Sequence, residues 1–191
     1  MSKLRTLGAV CLLVGAMGCT SQIAGNPHVG VASGGCSGST IVEPKGGPYC
    51  YAMPSGFQEA QAELGGAKYT TGVALDKDNL IIAGVFPAPA DLDKLSDSEL
   101  KRAVDQLIGQ QDSPSFKLDS DFGKLSKPPA GRAMEYHAVT NGSPAIHVDL
   151  YIVARGHTKV QLNCQSTDKQ KKVETACGQV VQSLRITSTG K

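Results

Sequence analysis

The sequence lacks tryptophan and is poor in aromatic residues, with five tyrosines and four phenylalanines in 191 positions. It lacks any apolar run long enough to cross a membrane as a helix. Residues 7–18, LGAVCLLVGAMG, stay uncharged for about a dozen positions, where a spanning helix needs about 20. It also lacks an excess of either charge. The 19 Lys+Arg exceed the 17 Asp+Glu only by Lys3 and Arg5, which precede that run. The remainder is neutral, so nothing electrostatic favours nucleic acid as a partner, and none is expected. No C-x2-C pair is present, which argues against a four-cysteine zinc site. No G-x-S-x-G, H-E-x-x-H or P-loop occurs either; Gly34-Gly35-Cys36-Ser37-Gly38 has its serine in the wrong place. No catalytic residue, cofactor or metal-ligand set follows from these motifs, and an enzyme is not expected.

What is present begins at the N-terminus. A positive start, a short apolar centre and small residues before a cleavage point describe a secretory signal over residues 1–18. The run closes in Ala16-Met17-Gly18-Cys19, which resembles the bacterial lipobox, where the cysteine after cleavage receives diacylglycerol. The alternative, an N-terminal core helix carrying an ordinary thiol, fits poorly because the following stretch cannot continue a helix. Residues 19–47 are rich in Gly, Ser and Pro and read as a flexible tether. Cys19 is the expected lipidation (palmitate) site. The chain is then expected on the extracytoplasmic face of the cell membrane, held by its acyl chains.

Four further cysteines, Cys36, Cys50, Cys164 and Cys177, make an even set in an exported protein and read as disulfides. Three connectivities are possible. Cys36–Cys50 with Cys164–Cys177 is favoured because each closes a short loop.

The folded part is expected over residues 48–187, as one domain with a tail at 188–191. Residues 68–75 and 80–86 are β-rich and flank the turn Asp76-Lys77-Asp78-Asn79, so they predict a hairpin. Ser96 with Glu99 forms a capping box, flanked by Leu95 and Leu100 at staple positions. Leu100, Ala103, Val104, Leu107 and Ile108 then trace one helical stripe. Residues 113–131 read as irregular. Three alternating strands follow over 132–140, 145–153 and 158–164. Parity favours a three-residue Asn141-Gly142-Ser143 loop with Gly142 left-handed, and the same reasoning at Arg155-Gly156-His157 pairs Leu150 with Leu162. A last helix over 168–184 carries Val173, Ala176, Cys177, Val180, Val181 and Leu184 on one stripe, and Arg185 begins a short final strand. The fold class is α+β: an antiparallel sheet with two helices packed on one face.

The aromatic strand ending in Met53-Pro54-Ser55-Gly56-Phe57, the sheet, and the last helix ending in Gln182-Ser183-Leu184-Arg185-Ile186 resemble the PsbP-like fold. More narrowly, with the lipobox and tether, the chain resembles the actinobacterial LpqN-type lipoproteins. The resemblance implies a binding or accessory module of the cell envelope and supplies no catalytic residues. The partner it implies is an envelope protein or a lipid, bound by a monomer. The second reading is an envelope hydrolase or metal-dependent enzyme.

Two polar features merit a place. In the register above, His137 lies opposite His147 and Glu135 opposite Asp149, on the sheet face away from the helices. Two imidazoles and two carboxylates suit zinc or copper, whereas an ordinary polar face would ease the repulsion with a lysine such as Lys159. Lys169, Lys171 and Lys172 open the last helix, the end where the dipole disfavours cations, and read as a solvated face, the alternative being a small anion or partner patch. Tyr151 and residues 113–131 are candidates for a docking patch.

Overall fold

A computed structural model describes residues 36, 40–109, 116–119 and 123–188. The expected signal, Cys19, the tether up to residue 35 and the tail from 189 lie outside the described residues. Eleven strands and two α-helices are described, with a 3-10 turn at Leu92–Lys94 ahead of α1, in the order β1 (Ile41–Val42), β2 (Tyr49–Ala52), β3 (Gln58–Ala60), β4 (Lys68–Asp76), β5 (Asn79–Pro87), α1 (Asp97–Gly109), β6 (Phe116–Leu118), β7 (Lys124–Ser126), β8 (Arg132–Thr140), β9 (His147–Arg155), β10 (Thr158–Ser166), α2 (Gln170–Ser183) and β11 (Arg185–Ile186). Every pairing is antiparallel. The main sheet runs β3-β4-β5-β10-β9-β8-β6, with β7 also on β8, and a small sheet runs β1-β2-β11. Among the described residues no helix is long and apolar enough to cross a membrane.

The local signals act where the sequence places them. The β4–β5 turn is Lys77-Asp78, with Asp76 paired to Asn79. The capping box closes reciprocally: the Ser96 N–H donates to Glu99 Oε2 at 2.8 Å and the Glu99 N–H to Ser96 Oγ at 3.3 Å. Arg132 on β8 donates to the carbonyls of Leu92 and Leu95 and to Asp97, so the entry to α1 is tied to the sheet. The predicted stripe of α2 is buried from Val173 to Val181, and Leu184 behind it is fully covered. Cys177 on that stripe is joined to Cys164 on β10, and Cys36 to Cys50 on β2, with Cα separations of 6.1 and 6.2 Å.

The antiparallel α+β architecture is the one expected, but the two helices are shared between the faces of the sheet instead of lying on one. Leu100, Val104 and Ile108 of α1 pack with Met134, Leu150 and Ile152. Residues Val173, Val180 and Val181 of α2 pack, with Tyr49 and Tyr51, on Val153, Val160 and Leu162. The reason is one turn. The β9–β10 connection is the two residues Gly156-His157, with Gly156 at φ 55°, so Leu162 pairs with Tyr151 and Leu150 with Asn163. That one-residue difference from the expected loop moves the whole apolar row of β10 to the other face. Parity misled because β9 is buried on both faces: Ile152, Val153 and Ala154 are all at most 3 % exposed.

Three other expectations change. The β8–β9 loop spans 141–146 and not three residues, so Tyr136 pairs with Leu150 and Met134 with Ile152. The parity is as expected, the register shifts by two, and Gly142 is not left-handed. Ile41–Val42, inside the stretch read as tether, is a strand on β2, with Val42 buried. Within the stretch read as irregular, β6 and β7 both pair with β8.

Candidate functional site

Of the four residues weighed as a metal set, the sheet brings three together. His137 pairs with Asp149, and its Nδ1 lies 2.6 Å from Asp149 Oδ1. Glu135 pairs with Tyr151, whose hydroxyl donates to Glu135 Oε1 at 2.6 Å; the same oxygen is 3.6 Å from His137 Nε2. His147 pairs with Val139 instead, carried away by the two-residue shift in register. Among the described residues no three His, Cys, Asp or Glu side chains are arranged to hold a metal. The cluster shares its sheet face with α2, not a helix-free one, and Lys159 lies on the opposite face, so it eases no repulsion here.

The charges are arranged by depth. The imidazole is 53 % exposed, while the Glu135 and Asp149 side chains are 19 % and 12 % exposed. Burial raises the Asp149 carboxyl, the hydrogen bond from His137 opposes it, and Glu174 and Glu135 push it further up. Burial, then the bond to Glu135, raises the Tyr151 phenol. The arrangement orients one imidazole outward through a carboxylate. Tyr151 is half-buried against the core and no exposed apolar patch.

A second network lies under α1. Asp105 accepts from the Tyr136 hydroxyl at 2.6 Å, the Gly123 N–H at 2.9 Å and Lys101 Nζ at 2.6 Å. Burial raises its carboxyl, but those three donors outweigh it and the net direction is down. A third joins the β4–β5 turn to the start of α2 through Asn79, which is 1 % exposed. Its amide donates to Asp76 and Asp168 at 2.8 and 2.9 Å, and its carbonyl accepts the N–H groups of Thr167 and Lys169 at 3.2 and 3.3 Å. Lys169 in turn pairs with Asp76, so one of the three lysines at this helix end has a structural partner.

A broad concavity lies elsewhere. A groove of about 690 Å³ runs between residues 42–45, 59–63 and 70–72, bordered by Glu43, Lys45, Glu59 and Glu63, with Thr71 and Gly72 along it. A smaller one, about 360 Å³, lies between Phe57 and the Lys172–Ala176 face of α2. Sequence reasoning missed the larger groove because its walls come from two different sheets, and no local pattern shows where those sheets meet. One signal was available: Glu59, Gln61 and Glu63 recur at every second position, the period of a strand.

No family model matches the chain, and no curated protein matches it in sequence. Solved structures do. The solution structure of CyanoP, the PsbP of the cyanobacterium Synechocystis sp. PCC 6803, superposes with a TM-score of 0.54 at 13 % identity, covering 86 % of this chain and 98 % of that one. LpqN of Mycobacterium tuberculosis, described as involved in cell envelope biogenesis, gives 0.48 at 14 % identity, with 88 % and 90 % covered. The yeast Ran-binding protein Mog1p, from Saccharomyces cerevisiae, gives 0.47 at 11 % identity, with 82 % and 98 % covered. The likeness to CyanoP shows the fold: it is PsbP-like, as the sequence resemblance implies.

Proposed function

We propose that this chain is an exported lipoprotein, anchored through Cys19 on the extracytoplasmic face of the cell membrane, that serves as a non-enzymatic binding or accessory module of the envelope. The binding role rests on one observation above the others. A groove of about 690 Å³ is bordered by charged groups, and the His137 cluster lies outside it. An open groove of that size holds a ligand or a segment of a partner. Export is supported by the two disulfides, which belong to an oxidising compartment. Anchoring is supported by the charged start, the short apolar run and Gly18-Cys19.

The second reading, a hydrolase, draws on the His137–Asp149 pair, since a carboxylate that orients an imidazole is one part of a general-base system. Its nucleophile is unassigned. Fractionation of cells producing the full chain and a Cys19→Ala variant tests the anchor. The parent is expected with the membrane and the variant released, and a variant that stays with the membrane refutes the anchor. Crosslinking in the native membrane, read by mass spectrometry, tests the module. A reproducible protein or lipid partner is expected. No partner, together with ester hydrolysis lost on His137→Ala, moves the conclusion to the hydrolase.

A further inference from the structure

The larger groove lies beside two strands that are sheet edges among the described residues. β3 ends the main sheet with β4 as its neighbour, and β1 ends the small sheet with β2 as its neighbour. Each edge strand leaves backbone N–H and C=O groups open on its outer side, a template for another extended chain. The groove is also acidic. Glu43, Glu59 and Glu63 border it against a single Lys45, and among the described residues none of the four makes an ion pair or side-chain hydrogen bond. Glu59 lies on β3, and Gln61 and Glu63 continue the every-second-residue pattern just beyond its end, all three exposed, a pattern that suits alternate side chains of an extended partner.

An aromatic stands next to this lining. Tyr69 precedes the lining residue Thr70, and a Cβ placed on Gly47 would come within 3.0 Å of its own Cβ. At 46 % exposure it is the large hydrophobic side chain open to solvent among the described residues. Its backbone is left-handed, φ 52°, at a bulge between Lys68 and Thr71, a costly conformation for an aromatic residue. An exposed phenol ring one residue from the lining of an acidic groove suits a cation that reaches past the groove's rim. The floor is preformed: Thr71 Oγ1 meets the hydroxyls of Tyr49 at 2.8 Å and Tyr51 at 3.2 Å. Gly72 has no side chain because a Cβ there would lie 2.7 Å from that of Ala62.

We propose that this groove captures an extended segment of an envelope protein that carries lysine or arginine at alternate positions, added as a strand beside β3, with its cations toward Glu59, Glu63 and Glu43 and against Tyr69. This rests on the binding-module reading and names its site and the chemistry of its partner. Backbone bonding supplies affinity in such strand addition, and the alternate side chains supply selection. The carboxylates repel an anionic lipid headgroup, so a basic peptide is the occupant the charges favour.

The test is titration of the full chain, purified in mild detergent and isotope-labelled, with an acetylated and amidated Lys-Val-Lys-Val-Lys-Val peptide. Saturable amide shifts confined to residues 42–45, 58–63 and 69–72 are expected. Affinity should fall about tenfold in Glu59→Gln/Glu63→Gln and weaken with added salt, and the Glu-Val counterpart should not bind. Both substituted carboxylates are exposed, so an otherwise unchanged amide spectrum certifies the fold of the variant. Tyr69→Ala should weaken binding about threefold. No saturable shift, shifts centred elsewhere, or equal affinity in the double variant would overturn the proposal. A partner recovered by membrane crosslinking while the groove stays silent to the peptide refutes the groove alone; loss of both refutes the module reading as well.

Discussion

Asn79→Ala is the most informative single perturbation of this fold. The side chain makes four hydrogen bonds, two of them to carboxylates, and joins the β4–β5 turn to the residues leading into α2 across a sequence gap of about ninety residues. A net hydrogen bond contributes about 1 kcal/mol, and one to a charged group about 1.5–3 kcal/mol. Asp168 is at the surface and Asp76 is about one-third exposed, so both carboxylates recover water once the amide is gone. The expected cost is therefore well below the gross sum, about 3 kcal/mol. In urea, with a slope of about 2 kcal/mol per molar, the midpoint falls by about 1.5 M. Asn79→Asp supplies the control. It puts a third carboxylate between Asp76 and Asp168, so its deficit at pH 7 exceeds that of the alanine variant and narrows as pH falls toward about 4. A loss under about 1 kcal/mol for Asn79→Ala, at unchanged slope, would refute the claim that this amide ties the turn to the helix.

Two further outcomes follow, one from the Asp105 network and one from Asp76. Tyr136→Phe removes a donor to Asp105 from beneath α1 and should cost about 1.5–2 kcal/mol in urea unfolding; a double-mutant cycle with Asp105→Asn should return a coupling of about 1 kcal/mol, and a coupling near zero would show the pair to be independent. Asp76 is held at about 2, below its ordinary 3.8: burial would raise it, but the bonds from Lys169, Asn79 and the Asp78 N–H outweigh that. Its contribution is present above its unfolded value and fades as pH falls through about 4 toward 2, about 1 kcal/mol after solvent screening. Lys169→Met should lose much of that acid sensitivity in thermal melts at pH 5 and 2.5, and identical losses in both proteins would refute the assignment.

Much of the fold is legible in the sequence where signals are local. The capping box at Ser96, the stripe of α2 and the turn after Asp76 each depend on residues within four positions of one another. Registers are harder. The β9–β10 turn is misread because Ile152, Val153 and Ala154 are all apolar, and a strand covered on both faces carries no parity. β1, β6 and β7 are missed because two or three residues in a polar, glycine-rich context show no period, and their partners on β2 and β8 lie elsewhere in the chain. The site divides in the same way. Glu135, His137 and Asp149 meet because they share one face of the adjacent strands β8 and β9, and a register shift of two leaves them neighbours; the same shift, set by a loop length that the sequence does not reveal, carries His147 away. The acidic groove depends on edges of two different sheets, and only the alternation of Glu59, Gln61 and Glu63 hints at it.

The Cys36–Cys50 bond also decides how the domain bears mechanical load. A pull along the chain from the N-terminal side passes through the sulfur atoms into β2, the middle strand of the small sheet, held on one side by β1 and on the other by β11. The two-residue strand β1 lies inside the covalent loop and is shielded from the force. Without that bond, tension would reach β1 first and peel it from β2 one hydrogen bond at a time. With it, the two-residue β1–β2 pairing lies off the load path, and traction on the chain N-terminal to Cys36 is delivered to β2 and the core beneath it.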